Sequence, residues 1–110
     1  MTKPEYKLIP LEKTRSIVVD WVFTQVEYDE LAKGYRSNWC VFLRDKVVHI
    51  CRFGGEEFYR FSMVKSNSGS YVVKTLESYI TDSIDIEMLA VEETAGLLNV
   101  YFGITLNSKV

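Results

Sequence analysis

Residues 39–65 read WCVFLRDKVVHICRFGGEEFYRFSMVK. The segment is rich in Val, Ile, Phe, Tyr and Trp, which favours pleated strands over helix. Gly54-Gly55 interrupts it, and both positions tolerate the positive φ of a two-residue hairpin loop. Asp45-Lys46 is the other turn candidate. Three antiparallel strands are expected: Trp39–Arg44, Val47–Phe53 and Glu57–Lys65.

The turns set the pairing. The first puts Leu43 opposite Val48, Val41 opposite Ile50 and Trp39 opposite Arg52. The second puts Arg52 opposite Glu57, Ile50 opposite Tyr59 and Val48 opposite Phe61. Directly opposite residues share a face. One face then carries Trp39, Val41, Leu43, Val48, Ile50, Tyr59, Phe61 and Met63, and reads as the core face. A one-residue slip at either turn would mix the sets. The other face carries Cys40, Phe42, Val47, His49, Cys51, Phe53, Phe58, Arg60 and Ser62. It mixes apolar groups with an imidazole, a guanidinium and two thiols.

Before this segment, Pro4 and Pro10 oppose helix and imply an extended lead-in. A long helix is expected from about Glu12 to Lys33, with Ile17, Val18, Trp21, Val22, Tyr28, Leu31 and Ala32 close to a 3.6-residue period. Gly34 supplies its stop. The β-branched run Ile17-Val18-Val19 leaves a strand as the alternative. Beyond the segment, Ser66–Ser70 reads as a loop. A second helix is expected over Ser70–Thr81, with Val72, Val73, Leu76, Tyr79 and Ile80 on one side. Ile84, Met88, Val91, Ala95, Leu98 and Phe102 form a helical stripe that Gly103 would end. Gly96 inside it costs about 1 kcal/mol.

The expectation is one α+β domain of 110 residues. It has a long N-terminal helix, a three-stranded antiparallel meander at about 39–65 and two C-terminal helices packed on the sheet. A chain of this length can bury about two thirds of its unfolded surface without staples.

Net charge is −2, which gives no general drive toward nucleic acid or anionic membrane. Charge is uneven: residues 36–65 hold six Lys/Arg against three Asp/Glu, and residues 66–110 hold two against six. The N-terminus MTKPEYKLIPLEK lacks the apolar core of a signal peptide, and no apolar run is long enough to span a membrane. A cytoplasmic setting with reduced thiols is expected. Cys40 and Cys51 fall opposite each other and read as two small apolar residues.

Catalytic and cofactor patterns are missing. His49 is the single histidine, and histidine catalysis needs a nucleophile and an orienting group nearby. One His and two Cys do not complete a usual zinc set. Ser66–Ser70 matches neither GxxxxGK[ST] nor GxGxxG. The acidic groups lack the alternating spacing of a calcium loop. The reading is therefore non-enzymatic, with no cofactor and no metal.

The mixed face is the leading candidate surface, because aromatic and Arg side chains are typical interface anchors. Its candidates are Phe42, His49, Phe53, Phe58 and Arg60. The second candidate surface is the acidic helical end with Asp82, Asp85, Glu87, Glu92 and Glu93, which would suit a basic partner. The expected function is a small protein-interaction module, such as an inhibitor, an immunity-type protein or an adaptor. Its partner would be another protein or a second copy of the chain. The alternatives are a single-stranded nucleic-acid binder stacking bases on Phe42, Phe58 and Arg60, and a small-molecule-binding domain.

The expected order of helix, three-stranded meander and helix over 12–81 resembles the double-stranded-RNA-binding domain in topology. That family opens its second helix with a basic KKxAK-type motif, where this chain has Ser70-Tyr71-Val72-Val73-Lys74. With a further helix added, the order also resembles small acidic phage-encoded inhibitors of host defence.

Overall fold

A bulged strand and a short helix replace the expected long N-terminal helix. The computed structural model describes residues 6–81 and 85–106. Strand β1 spans Arg15–Phe23 and helix α1 spans Gln25–Lys33. Next come β2 (Tyr35–Arg36), β3 (Trp39–Arg44), β4 (Val47–Arg52), β5 (Glu57–Ser62), β6 (Val64–Lys65) and β7 (Tyr71–Ser78). Helix α2 spans Ile86–Phe102. The strands form one seven-stranded sheet in the order β1-β7-β5-β4-β3-β2, with β6 pairing β7.

This architecture is mostly sheet, and it corrects the expected one. No long N-terminal helix and no separate three-stranded meander are found, and 71–78 is a strand rather than a second helix. The likeness to the double-stranded-RNA-binding domain and to the phage inhibitors rested on those helices and falls with them.

The reason lies in one irregularity shared by β1 and β7. Val18 pairs with Thr75 and Trp21 with Val73, so Val19 and Asp20 together face Lys74. Such a bulge bends the strand and breaks its alternation. Ile17 and Trp21 are buried four residues apart, and Val73 and Leu76 three apart. Those spacings imitate a helix. The composition did favour strand, since Ile17, Val18, Val19, Val72, Val73 and Thr75 are all β-branched. The helix that does form starts at Thr24. Its hydroxyl accepts from the Glu27 N–H and the Glu27 carboxylate accepts from the Thr24 N–H, a reciprocal cap.

The centre of the sheet pairs in the register set by Asp45-Lys46. Both turn residues have positive φ, 52° and 66°, as a tight hairpin turn needs. Leu43 lies opposite Val48, Val41 opposite Ile50 and Cys40 opposite Cys51. The next turn differs. Gly55 N–H donates to the Arg52 carbonyl and Arg52 N–H to the Glu56 carbonyl, so the loop is Phe53-Gly54-Gly55. That extra loop residue is offset by a bulge at Phe58, after which Ile50 faces Tyr59 and Val48 faces Phe61. Between the two irregularities Glu57 faces Cys51 instead of Arg52.

The core lies on one face of the sheet. Val41, Val48, Ile50, Tyr59 and Phe61 are buried there with Ile17, Trp21, Phe23 and Leu76. Leu31 of α1 and Ala90 and Leu98 of α2 close the same cluster. Over β3, β4 and β5 the opposite face is covered by the lead-in rather than by a helix. Tyr6 and Leu8 pack on Cys40, Phe42 and Cys51. Ile9 makes a parallel bridge to Glu56, giving its N–H to the Gly55 carbonyl at 2.9 Å and taking the Glu57 N–H at 3.1 Å. Gly55 has φ 96°, and a Cβ there would sit 3.0 Å from the Lys7 carbonyl. Glycine is required by both the turn and the close approach of this strap.

Candidate functional site

The mixed face is a closed, strapped surface. Tyr6 stacks on Phe42 at 4.8 Å, and Phe42 stacks on His49 at 5.2 Å. Arg44 donates to the Tyr6 carbonyl at 3.2 Å and lies over the Phe42 ring. At the inner end of this stack is Glu57, whose side chain is fully buried. Its carboxylate accepts from His49 Nδ1, from Arg60 Nη1 at 2.6 Å and from the Leu11 N–H at 3.1 Å. Arg60 Nη1 also points at the Leu11 carbonyl, 3.5 Å away. Burial pushes the Glu57 carboxyl up. The donors at His49, Leu11 and Arg60, together with the His49 charge, outweigh it and hold the pKa below the ordinary glutamate value. This cluster latches the strap to the sheet.

Cys40 and Cys51 lie beneath the strap as free thiols. Burial, then the nearby Glu57 carboxylate, push the Cys51 thiol up to about 12. A buried thiol kept protonated is a poor nucleophile. Thiol titration should therefore be slow in the native protein and should reach both cysteines after unfolding without reductant. Finding neither reactive after unfolding would show a disulfide.

An open concave surface lies on the core side of the sheet, between the loop after β4 and α2. A groove of about 640 Å³ is lined by Asn38, Trp39, Arg52, Phe53, Gly54, Gly96, Leu97, Val100 and Tyr101. The three-residue loop after β4 lifts Phe53 out of the sheet, leaving it 74% exposed. Val100 on α2 is 76% exposed. A Cβ built on Gly96 would meet nothing within 4 Å, so the helix backbone itself is open there. The Arg52 guanidinium stacks over the Trp39 ring at 4.7 Å and has no carboxylate partner among the described residues. Tyr101 is held in place by stacking on Tyr35 at 4.2 Å. The site thus pairs an apolar helical wall with a sheet wall carrying a cation.

The residues singled out in the sequence are scattered. Phe53 alone lines the groove. Phe42, His49 and Arg60 belong to the strapped face. The bulge turns Phe58 toward the core side, against Trp39 and Tyr79 at 5.4 and 5.0 Å. Asp82 lies outside the described residues. Asp85 precedes α2 and is exposed. Glu87 pairs with Arg15 at 2.7 Å. Glu93 accepts from the Tyr59 hydroxyl at 2.6 Å; burial first, and then this bond, raises the tyrosine pKa. Glu92 is exposed, one turn before Gly96. Among the described residues, Glu87 and Glu93 are thus engaged by partners within the fold.

Reading residue by residue missed Arg52, Trp39, Leu97, Val100 and Tyr101 as a group. The one visible signal was Gly96, a glycine inside an otherwise good helix. Among the described residues no cluster of three or more His, Cys, Asp or Glu could hold a metal ion. No helix among them is long and apolar enough to cross a membrane. Compared with protein-family models, curated proteins and solved structures, the chain matches none.

Proposed function

We propose that the chain is a small, non-enzymatic protein-interaction module that works through the groove between the Phe53 loop and α2. Its role is to occupy a surface of a partner, as inhibitors, immunity-type proteins and adaptors do. The observation carrying this reading is the exposure of Phe53, on the loop after β4, and Val100, on α2, in a groove also lined by Trp39 and Tyr101. Side chains of that size gain about 1.5–3 kcal/mol each when buried. Aromatic groups and Arg in a water-excluding pocket are the usual anchors of association.

The test places a photo-crosslinking residue at Val100 in one variant and at Val18 in another, in living cells. Val18 is 87% exposed and lies on the other sheet face. Crosslinks to a protein from position 100 and none from 18 support the reading. Crosslinks from 18 alone, or from neither, contradict it. Phe53→Asp combined with the crosslinker at position 100 should abolish the crosslinked species. Phe53→Asp and Val100→Asp by themselves should each leave the thermal midpoint within a few degrees, as exposed substitutions usually do.

A further inference from the structure

We infer that the groove takes an extended peptide segment in which one carboxylate is flanked by large apolar side chains. This rests on the interaction reading above and names the chemistry of the partner.

Arg52 is the single charged residue among those lining the groove. The Arg52 Cζ lies over the Trp39 ring, 4.7 Å from its centroid, and a guanidinium held on an aromatic face still offers N–H groups to an acceptor. Asn38 stands on the same wall and adds an amide donor. A carboxylate is the acceptor that matches a planar guanidinium. The opposite wall, Gly96, Leu97, Val100 and Tyr101, is apolar. An extended peptide sends successive side chains to opposite sides. It can therefore place an acidic side chain against Arg52 and its two apolar neighbours against α2. The open space over Gly96 admits a bulky one of these.

The rim limits the number of charges. Glu92 stands one turn before Gly96, and the Glu56 carboxylate lies against Gly54, where an added Cβ would meet it at 2.6 Å. Neither pairs with Arg52. Both would repel a run of acidic residues, so the fit is for one carboxylate and not for a polyacidic tail. A second copy of the chain is a poorer occupant, because α2 has three acidic residues, follows Asp85 at its N-cap, and has no Lys or Arg along its length.

A random twelve-residue peptide library displayed on phage provides the probe. Selection on the whole protein should enrich peptides with a single Asp or Glu between large apolar residues. Their affinity should fall about tenfold or more in Arg52→Gln, as expected when a charge-assisted hydrogen bond is lost. Arg52→Lys should fall between, because it keeps the charge and loses the planar fork. On Arg52→Glu, peptides with the acidic residue changed to Lys should regain binding. Enriched peptides that lack an acidic residue, or that bind Arg52→Gln as well as the native protein, overturn the carboxylate inference. If those same peptides still fail on Val100→Asp, the groove reading survives. No enrichment, or peptides indifferent to Val100→Asp, counts against both.

Discussion

Glu57→Gln lowers the unfolding free energy by about 3 kcal/mol at neutral pH, near the lower end expected for breaking a buried ion pair. The native carboxylate satisfies three donors at once: His49 Nδ1, Arg60 Nη1 and the Leu11 N–H. An amide cannot accept from all three, and it turns N–H groups of its own toward donors. Arg60 retains some solvent contact and can recover part of its hydration, which sets the effect near the lower end. Urea denaturation measures the loss. Hydrogen exchange should show the Ile9 and Leu11 amides losing protection in the same variant. Unchanged stability would mean that the carboxylate does not hold the strap.

The same residue sets an acid dependence. The folded Glu57 pKa lies below its ordinary value of 4.5, so below that pH the unfolded chain takes up the proton first. Stability from this group is complete above the ordinary value and is lost as pH falls through the folded value. Native stability should therefore decline with acid over that window more steeply than that of Glu57→Gln. Equal slopes would contradict the latch.

Phe61→Ala should cost about 3–5 kcal/mol, the usual range for removing a buried aromatic. Phe61 is 1% exposed at the middle of the sheet. It stacks on Phe23 at 5.8 Å and meets the edge of Trp21 at 5.6 Å. Its removal opens a cavity between β1 and β5 side chains on the core face, and the two remaining rigid rings, Trp21 and Phe23, cannot collapse into it. A urea midpoint within error of the native value would remove the shared-face assignment of Trp21, Phe23 and Phe61.

The centre of this fold was legible, and its margins were not. Asp45-Lys46 gave the β3–β4 register because a two-residue turn leaves no freedom in the pairing. The β4–β5 register near Ile50 came out right although its turn was misplaced. The extra loop residue and the bulge at Phe58 are equal and opposite, so the pairs beyond both are unchanged. Only residues between them were misassigned, and those include Glu57 and Phe58. That error concealed the latch, since Arg52 was expected to neutralise Glu57.

The helices proposed at 12–33 and 70–81 failed for a related reason. The bulge at Val19-Asp20 and the outward pair Lys74-Thr75 replace alternation with helix-like spacing at matched points of two paired strands. Local β propensity pointed the other way and was the better guide there. The strap could not be read at all. Pro4 and Pro10 indicate extended chain, but nothing local says which sheet face it will cover. The groove has the same character. It joins residues near 38, 52 and 100, which only the folded sheet with α2 against it brings together. Arg52 is the clearest loss, because its expected partner was the very residue that the bulge removes.

The central claim is that the strapped face is structural and the groove is the working surface. Amide chemical-shift mapping with a selected peptide or a crosslinked partner tests it most directly. The account predicts perturbations at Asn38, Trp39, Arg52 to Gly54 and Gly96 to Tyr101, with Tyr6 to Leu11 unchanged. Perturbations at Tyr6 to Leu11, Phe42 and His49, with the groove silent, would contradict it. They would show a strap that opens to expose the real binding face.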